Sequence, residues 1–137
     1  MMERIFVDSD IILDLLGNRE PFYKYAAELF SLADKGELKL FVSSLSFANL
    51  NYLLSRQYSA DQARMKLLKF KTLVSVLSVS DKMVELALSS DFKDFEDGLQ
   101  YFTATENQIK KLITRNLKDF RTADIMVMTA EQFLKSK

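Results

Sequence analysis

Short continuous apolar runs alternate along this chain with longer segments whose apolar residues recur every three or four positions. The first kind reads as buried strand, the second as helix packed on one face. Residues 3–8 are the first run, around Ile5, Phe6 and Val7, and residues 10–16 follow as a short apolar helix broken at Gly17-Asn18. Pro21 suits the first turn of the next helix, where its missing N–H is not needed. That helix carries Phe22, Tyr25, Ala26, Leu29, Phe30 and Ala33 at helical spacing, and Gly36 marks its stop. Residues 38–42 form a second strand, after which Ser43 or Ser44 can cap a helix to about residue 55. Ser59-Ala60-Asp61-Gln62 has capping-box spacing and opens a basic helix to about Leu73. Residues 73–79 read as a third strand, Ser80 caps a helix to Leu88, and residues 94–107 form another helix. Residues 111–114 and 125–128 are the last strands, and Thr129-Ala130-Glu131-Gln132 repeats the capping-box spacing before a terminal helix.

Strands joined through helices must pair in parallel, because a tight hairpin cannot connect parallel neighbours. The expectation is an α/β fold, a parallel sheet of four or five strands with helices on both faces. Composition agrees. The 137 residues fit one domain spanning 1–137, and 48% hydrophobic residues with eleven Phe supply a core. Three Gly and one Pro are too few for the many turns of a β-sandwich. No linker, repeat or low-complexity segment divides the chain.

The acids fall at strand ends. The first strand runs into Asp8-Ser9-Asp10, and the strand at 111–114 runs into Arg115-Asn116-Leu117-Lys118-Asp119-Phe120. Asp94-Phe95-Glu96-Asp97 opens a helix between them. Ligands of open parallel sheets bind outside the carboxyl ends of strands, where strand order reverses. Zero His and zero Cys remove zinc–thiolate sites, disulfides and thiol catalysis. Clustered acids then point to a hard divalent cation held by oxygen, and so to phosphoryl chemistry.

Each acid also has a plainer reading. Asp8 can cap the helix that follows it. Asp10 is a cap or first-turn acid favoured by the helix dipole, and Asp14 lies one turn further on the same face. Asp94, Glu96 and Asp97 sit where negative charge is ordinary. Asp97 differs because it precedes Tyr101 and Ala104 by four and seven residues, on a stripe expected to face the sheet. Asn116 and Asp119 alone read as turn chemistry. They converge with Asp8 only if the two strands are neighbours.

The formal net charge is zero, which counts against a non-specific nucleic-acid binder but allows an enzyme touching a few phosphates. Lys110, Lys111, Arg115, Lys118 and Arg121 surround the acidic end, where Ser9 and Thr114 add hydroxyls. A second basic run, Arg64, Lys66, Lys69 and Lys71, reads as a solvated helix face. No apolar run approaches the ~18 residues of a spanning helix, and no signal-peptide pattern is present. A cytoplasmic soluble protein is expected.

Four stretches resemble the motifs of a known family. Val7-Asp8-Ser9-Asp10-Ile11-Ile12-Leu13-Asp14-Leu15-Leu16 looks like the opening motif of PIN domains, and Ser43-Ser44-Leu45-Ser46-Phe47-Ala48-Asn49-Leu50 like the second. Asp94-Phe95-Glu96-Asp97-Gly98-Leu99-Gln100-Tyr101 resembles the third, and Leu112-Ile113-Thr114-Arg115-Asn116-Leu117-Lys118-Asp119-Phe120 the fourth. Within that group the chain is most similar to the small VapC-like toxins of bacterial type II toxin–antitoxin pairs, from about residue 3 to 134. The resemblance implies a three-layer PIN fold and a metal-dependent endoribonuclease using Mg2+ or Mn2+. By position, Asp8, Asp97 and Asp119 would be catalytic acids. With Asn116 they would hold the metal, which lowers the pKa of a water for attack on a phosphodiester. Ser9, Asn49, Asp10 and Thr114 would support them, and Arg115, Lys118 and Arg121 would meet RNA. Such toxins commonly dimerise and accept an antitoxin segment in a groove near the active site.

The chain departs from the family at Asn49, where Glu is usual, and at Asn116, where many relatives carry an acid. Fewer acids imply weaker metal affinity, and they leave open a degenerate PIN domain that binds RNA or a protein partner without cleavage. A phosphate-receiving domain is a third reading, mimicked by Asp8 and Asp10. It lacks an acceptor acid after Val42-Ser43, and no Gly-rich phosphate loop is present.

Overall fold

The computed structural model describes residues 2–120 and 124–137. In chain order these form β1 (Glu3–Val7), α1 (Ser9–Leu16), α2 (Tyr23–Asp34), β2 (Leu38–Ser43), α3 (Ser44–Gln57) and α4 (Ala60–Phe70). There follow β3 (Ser75–Leu77), α5 (Asp81–Leu88), α6 (Phe95–Glu106), β4 (Lys111–Ile113), β5 (Met126–Met128) and α7 (Ala130–Lys135). All pairings are parallel, and the sheet order is β3-β2-β1-β4-β5. The chain therefore moves outward from β1 through β2 and β3, then returns to the other side of β1. The reversal lies between β1 and β4.

Side-chain alternation divides the core into two layers. Ile5, Val7, Leu40, Val42 and Ile113 point to one face, against Ile12 of α1, Leu29 of α2, Leu50 of α3, Leu67 of α4 and Phe133 of α7. Phe6, Phe41 and Leu112 point to the other, against Ala104 of α6, Ile109 and Phe120. α5 packs outside α6 through Met83, Ala87 and Leu99. The helix ends follow the expected local chemistry. Ser43, Ser59 and Thr129 accept from backbone N–H groups as N-caps, and Gln132 returns a bond to the Thr129 N–H. Gly36, at φ +77°, ends α2 in the left-handed conformation that glycine tolerates.

The five strands and both covered faces match expectation, with three boundary differences. α2 starts at Tyr23, so Pro21 lies in the preceding turn rather than in the helix. The third strand is only Ser75–Leu77, because residues 71–73 form a tight 3-10 turn that finishes α4. β1 stops at Val7, so that Asp8 becomes the N-cap of α1. No helix among the described residues is long and apolar enough to cross a membrane.

Candidate active site

The pairing of β1 with β4 sets the site. Phe6 lies opposite Leu112 and Val7 opposite Ile113, which brings Asp8 and Thr114 side by side as both strands end. The Asp8 N–H still donates to the Ile113 carbonyl at 2.9 Å. Its carboxylate then does two jobs. Oδ1 accepts from the Ser9 N–H at 2.8 Å, which caps α1, and Oδ2 accepts from the Thr114 hydroxyl at 2.8 Å. The capping reading and the cleft reading of Asp8 thus hold together.

A third contact is one that sequence reasoning missed. Gln100, fully buried on α6, turns Nε2 toward Ser9 Oγ at 3.1 Å, Ser46 Oγ at 3.2 Å and Asp8 Oδ1 at 3.3 Å. The two serine hydroxyls lie 2.7 Å apart. The amide's two protons are shared among three oxygens, and Gln100 Oε1 has no partner. The available signal was spacing. Gln100 follows Asp97 by one helical turn, a polar residue beside Leu99, Thr103 and Ala104, which are all buried.

Asp8, Ser9, Asp10, Asn49, Glu96, Asp97 and Asn116 line one cleft of about 370 Å³, closed on its apolar side by Leu13, Leu50, Tyr52 and Leu53. Asn49 donates to Glu96 Oε1 at 3.0 Å across it. Asp97 enters from the first turn of α6, where Asp94 caps the helix by accepting its N–H at 3.1 Å. Asp119 does not line this cleft. It lies on the far side of Asp97, in a neighbouring hollow with Asp94, Phe92 and Lys118. Asp10 Oδ2 accepts from the Arg115 N–H at 3.0 Å, while Asp10 Oδ1 is buried without a partner.

The expected cationic rim is only partly present. Arg115 turns inward, Nε donating to Asp14 Oδ2 at 2.8 Å and the guanidinium lying 4.3 Å above the Phe22 ring. Asp14, 1% exposed, is thereby a structural acid. Lys118 is exposed beside Asp119. Arg121 lies outside the described residues.

The acids crowd one another. Burial pushes Asp8 up to about 7, the Asp10 charge adds to this, and the bonds from Thr114 and Ser9 oppose it. Burial likewise pushes Asp97 up to about 7, helped by Asp94, Asp119, Glu96 and Asp10. Burial also raises Asp10 and Asp14, against the pull of Arg115.

This donor set suits a hard cation. It consists of carboxylate and amide oxygens, with uncompensated negative charge and one orphaned carboxylate oxygen. Among the described residues no three acids cage an ion on their own. Magnesium does not require that, since it keeps several waters and binds through one or two carboxylates plus substrate phosphates.

The chain thus combines a parallel three-layer α/β fold with an acidic cleft at its strand reversal. The PIN domain family matches residues 4–118, and the chain belongs to it. It is 31% identical over 139 residues to Ribonuclease VapC1 of Aquifex aeolicus (strain VF5), covering 96% of this chain and 93% of that protein. Its fold matches VapBC2 of Rickettsia felis, solved bound to a promoter DNA fragment, with TM-score 0.68 and 20% identity over 91% of this chain and 96% of that one. It also matches VapC20 of Mycobacterium tuberculosis, a sarcin–ricin-loop-cleaving toxin, with TM-score 0.69 and 18% identity over 89% and 96%.

Proposed function

We propose that this chain is a divalent-cation-dependent endoribonuclease, the toxin of a toxin–antitoxin pair. The observation that carries the reading is the meeting of Asp8 and Asp97 in one cleft at the strand reversal, both pushed up to about 7 by burial and neighbouring acids. Such crowding is costly to the fold unless a cation offsets it. The naming of the Aquifex relative as a ribonuclease supports the substrate class, and the VapBC assembly of the Rickettsia neighbour supports an antitoxin partner.

In this reading Asp8, Asp97 and Asn116 hold Mg2+ or Mn2+, and Asp119 adds negative charge beyond Asp97. When bound, the cation supplies charge stabilisation to the phosphodiester and acidifies a water. Thr114 and Gln100 fix the two Asp8 oxygens, so its lone pairs are already oriented. Ser9 and Ser46 hold the Gln100 amide in turn. Lys118, exposed in the neighbouring hollow beside Asp119, is the cation left to meet a phosphate there. Arg115 acts from behind, its guanidinium pairing with Asp14 and its backbone N–H holding Asp10 Oδ2, which leaves Asp10 Oδ1 unpartnered.

A second reading has its own support. Asn49 and Asn116 line the cleft at positions where the family resemblance implies acids, which suits a PIN domain that binds without cutting. Incubation with manganese and a panel of structured RNAs, beside an Asp97→Asn control, separates the two. Cleavage by the parent alone supports the nuclease. Binding with no cleavage, by folded protein free of antitoxin, supports the binding-only domain.

A further inference from the structure

Continuing the cleft outward along α3, one face carries Asn49, Tyr52, Leu53 and Arg56, at the i, i+3, i+4, i+7 spacing of neighbours on a helix. The first three line the acidic cleft. Tyr52 is 60% exposed and Leu53 39% exposed, although both are apolar enough to be covered. Of the five tyrosines, Tyr52 alone is exposed, the other four being half-buried. Its ring is nevertheless held. Arg56 Nη1 donates to the Tyr52 hydroxyl at 2.9 Å, and the guanidinium lies 5.6 Å from the ring centre. Arg56 pairs with no carboxylate among the described residues.

We propose that Tyr52, braced by Arg56, is a stacking platform for one unpaired RNA base beside the scissile phosphate. The inference rests on the ribonuclease reading of the neighbouring acids. Single-stranded RNA is held by aromatic faces for its bases and by cations for its backbone. The α3 face offers both in sequence, with the acids at one end and, at the other, a guanidinium that pairs with no carboxylate among the described residues. An RNA strand with its phosphate at Asp8 and Asp97 places an adjoining base over the exposed ring and the next phosphate within reach of Arg56. A duplex cannot use the platform, because its bases are already stacked. The platform therefore selects loops and single strands.

The test measures binding of a short fluorescein-labelled single-stranded RNA with phosphorothioate linkages, which resist cutting with magnesium, to the full chain in magnesium. Tyr52→Leu is expected to weaken binding about tenfold, as stacking on one base implies, and Tyr52→Phe to leave it nearly unchanged. The chain has no tryptophan, so Tyr52→Trp supplies a single reporter whose fluorescence is expected to be quenched by RNA. Equal affinity of all three variants and the parent, with an unquenched Trp, overturns the platform and leaves the ribonuclease reading standing. Absence of RNA binding by the parent removes both. If Tyr52→Leu alters the oligomeric state seen by light scattering but not RNA affinity, the ring belongs to a contact between copies and the platform is overturned. Tyr52 is exposed, so all variants are expected to unfold at the parent's temperature, which checks that lost binding is not lost folding.

Discussion

Asp8 and Thr114, 106 residues apart in sequence, stand at the ends of adjacent parallel strands and share a 2.8 Å hydrogen bond, with neither residue more than 7% exposed. The Thr114 hydroxyl also accepts the Asn116 N–H at 3.1 Å, so one side chain fixes both a strand-end acid and the loop that follows β4. Thr114→Val keeps the shape and removes both bonds, together with the longer 3.3 Å contact from the hydroxyl to Asp10 Oδ2. The expected cost is about 2 kcal/mol of unfolding free energy, from a buried carboxylate and an N–H left short of partners. Urea denaturation measures it, and a loss within error of zero means that water replaces the hydroxyl.

The acid cluster gives stability an unusual pH dependence. Asp8 and Asp97 titrate near 7 in the folded chain against an ordinary 3.8. The folded state therefore binds protons that the unfolded state releases, and stability falls as pH rises from about 4 to about 7, then levels. Asp97→Asn removes one of these charges. It is expected to stabilise the chain by about 1 kcal/mol at pH 8 and much less at pH 5. Equal effects at the two pH values would mean that the crowding is relieved in solution.

Manganese or magnesium should act against the same penalty. Thermal unfolding at pH 8 is expected to shift upward with added cation, and near pH 6, where the two acids still hold protons, binding should release protons detectable in weak buffer. At pH 5 the shift should shrink, because protons compete. A shift that survives in the Asp8→Asn, Asp97→Asn double variant places the cation elsewhere.

Gln100 acts through Asp8 rather than on RNA. Gln100→Leu removes the amide and its orphaned oxygen together, so stability should change little while manganese affinity drops about tenfold, as for other residues that orient metal ligands. Gln100→Glu brings a carboxylate against Asp8 and should destabilise strongly. Calorimetric titration with manganese reads the first, thermal unfolding the second. Unchanged affinity in Gln100→Leu would make the amide mere packing.

Half-buried Arg115 and buried Asp14 pair behind the cleft. Arg115→Met leaves Asp14 without its partner in an apolar setting, at an expected cost of about 3 kcal/mol. Asp14→Asn with Arg115→Met should recover much of it. A double-mutant cycle measures the coupling, and additivity of the two changes would deny the pair any role.

The strands, helix caps and acid positions were legible because they are local. The apolar run at 38–42, the Thr129–Gln132 spacing and the apolar stripe of α2 each follow from neighbours in sequence. The side-by-side placement of Asp8 and Thr114 required the strand order, which short-range patterns do not carry. Arg115 shows the limit most clearly. Its sequence neighbours suggested an RNA contact, but its partners Asp14 and Phe22 lie about a hundred residues away, and only the closed sheet brings them within reach. Asp119 followed a strand end as Asp8 does, yet the 3-10 turn at Leu117–Phe120 carries it past Asp97 into the next hollow. Gln100 and Ser46 were hidden because a buried amide and hydroxyl look like ordinary helix residues until the acid they serve is in place.

The central position of β1 has a consequence for when this protein becomes active. Its terminal acid needs Ser46 and Gln100 from later helices and Thr114 from the strand on its other flank. A chain emerging from the ribosome can pair β1 with β2 early, but it has no finished cleft until β4 arrives. A truncated copy ending before residue 114 lacks one wall of the site, however well its first half folds. Cleavage capacity therefore waits on synthesis through residue 114, and a shorter nascent fragment has no finished cleft.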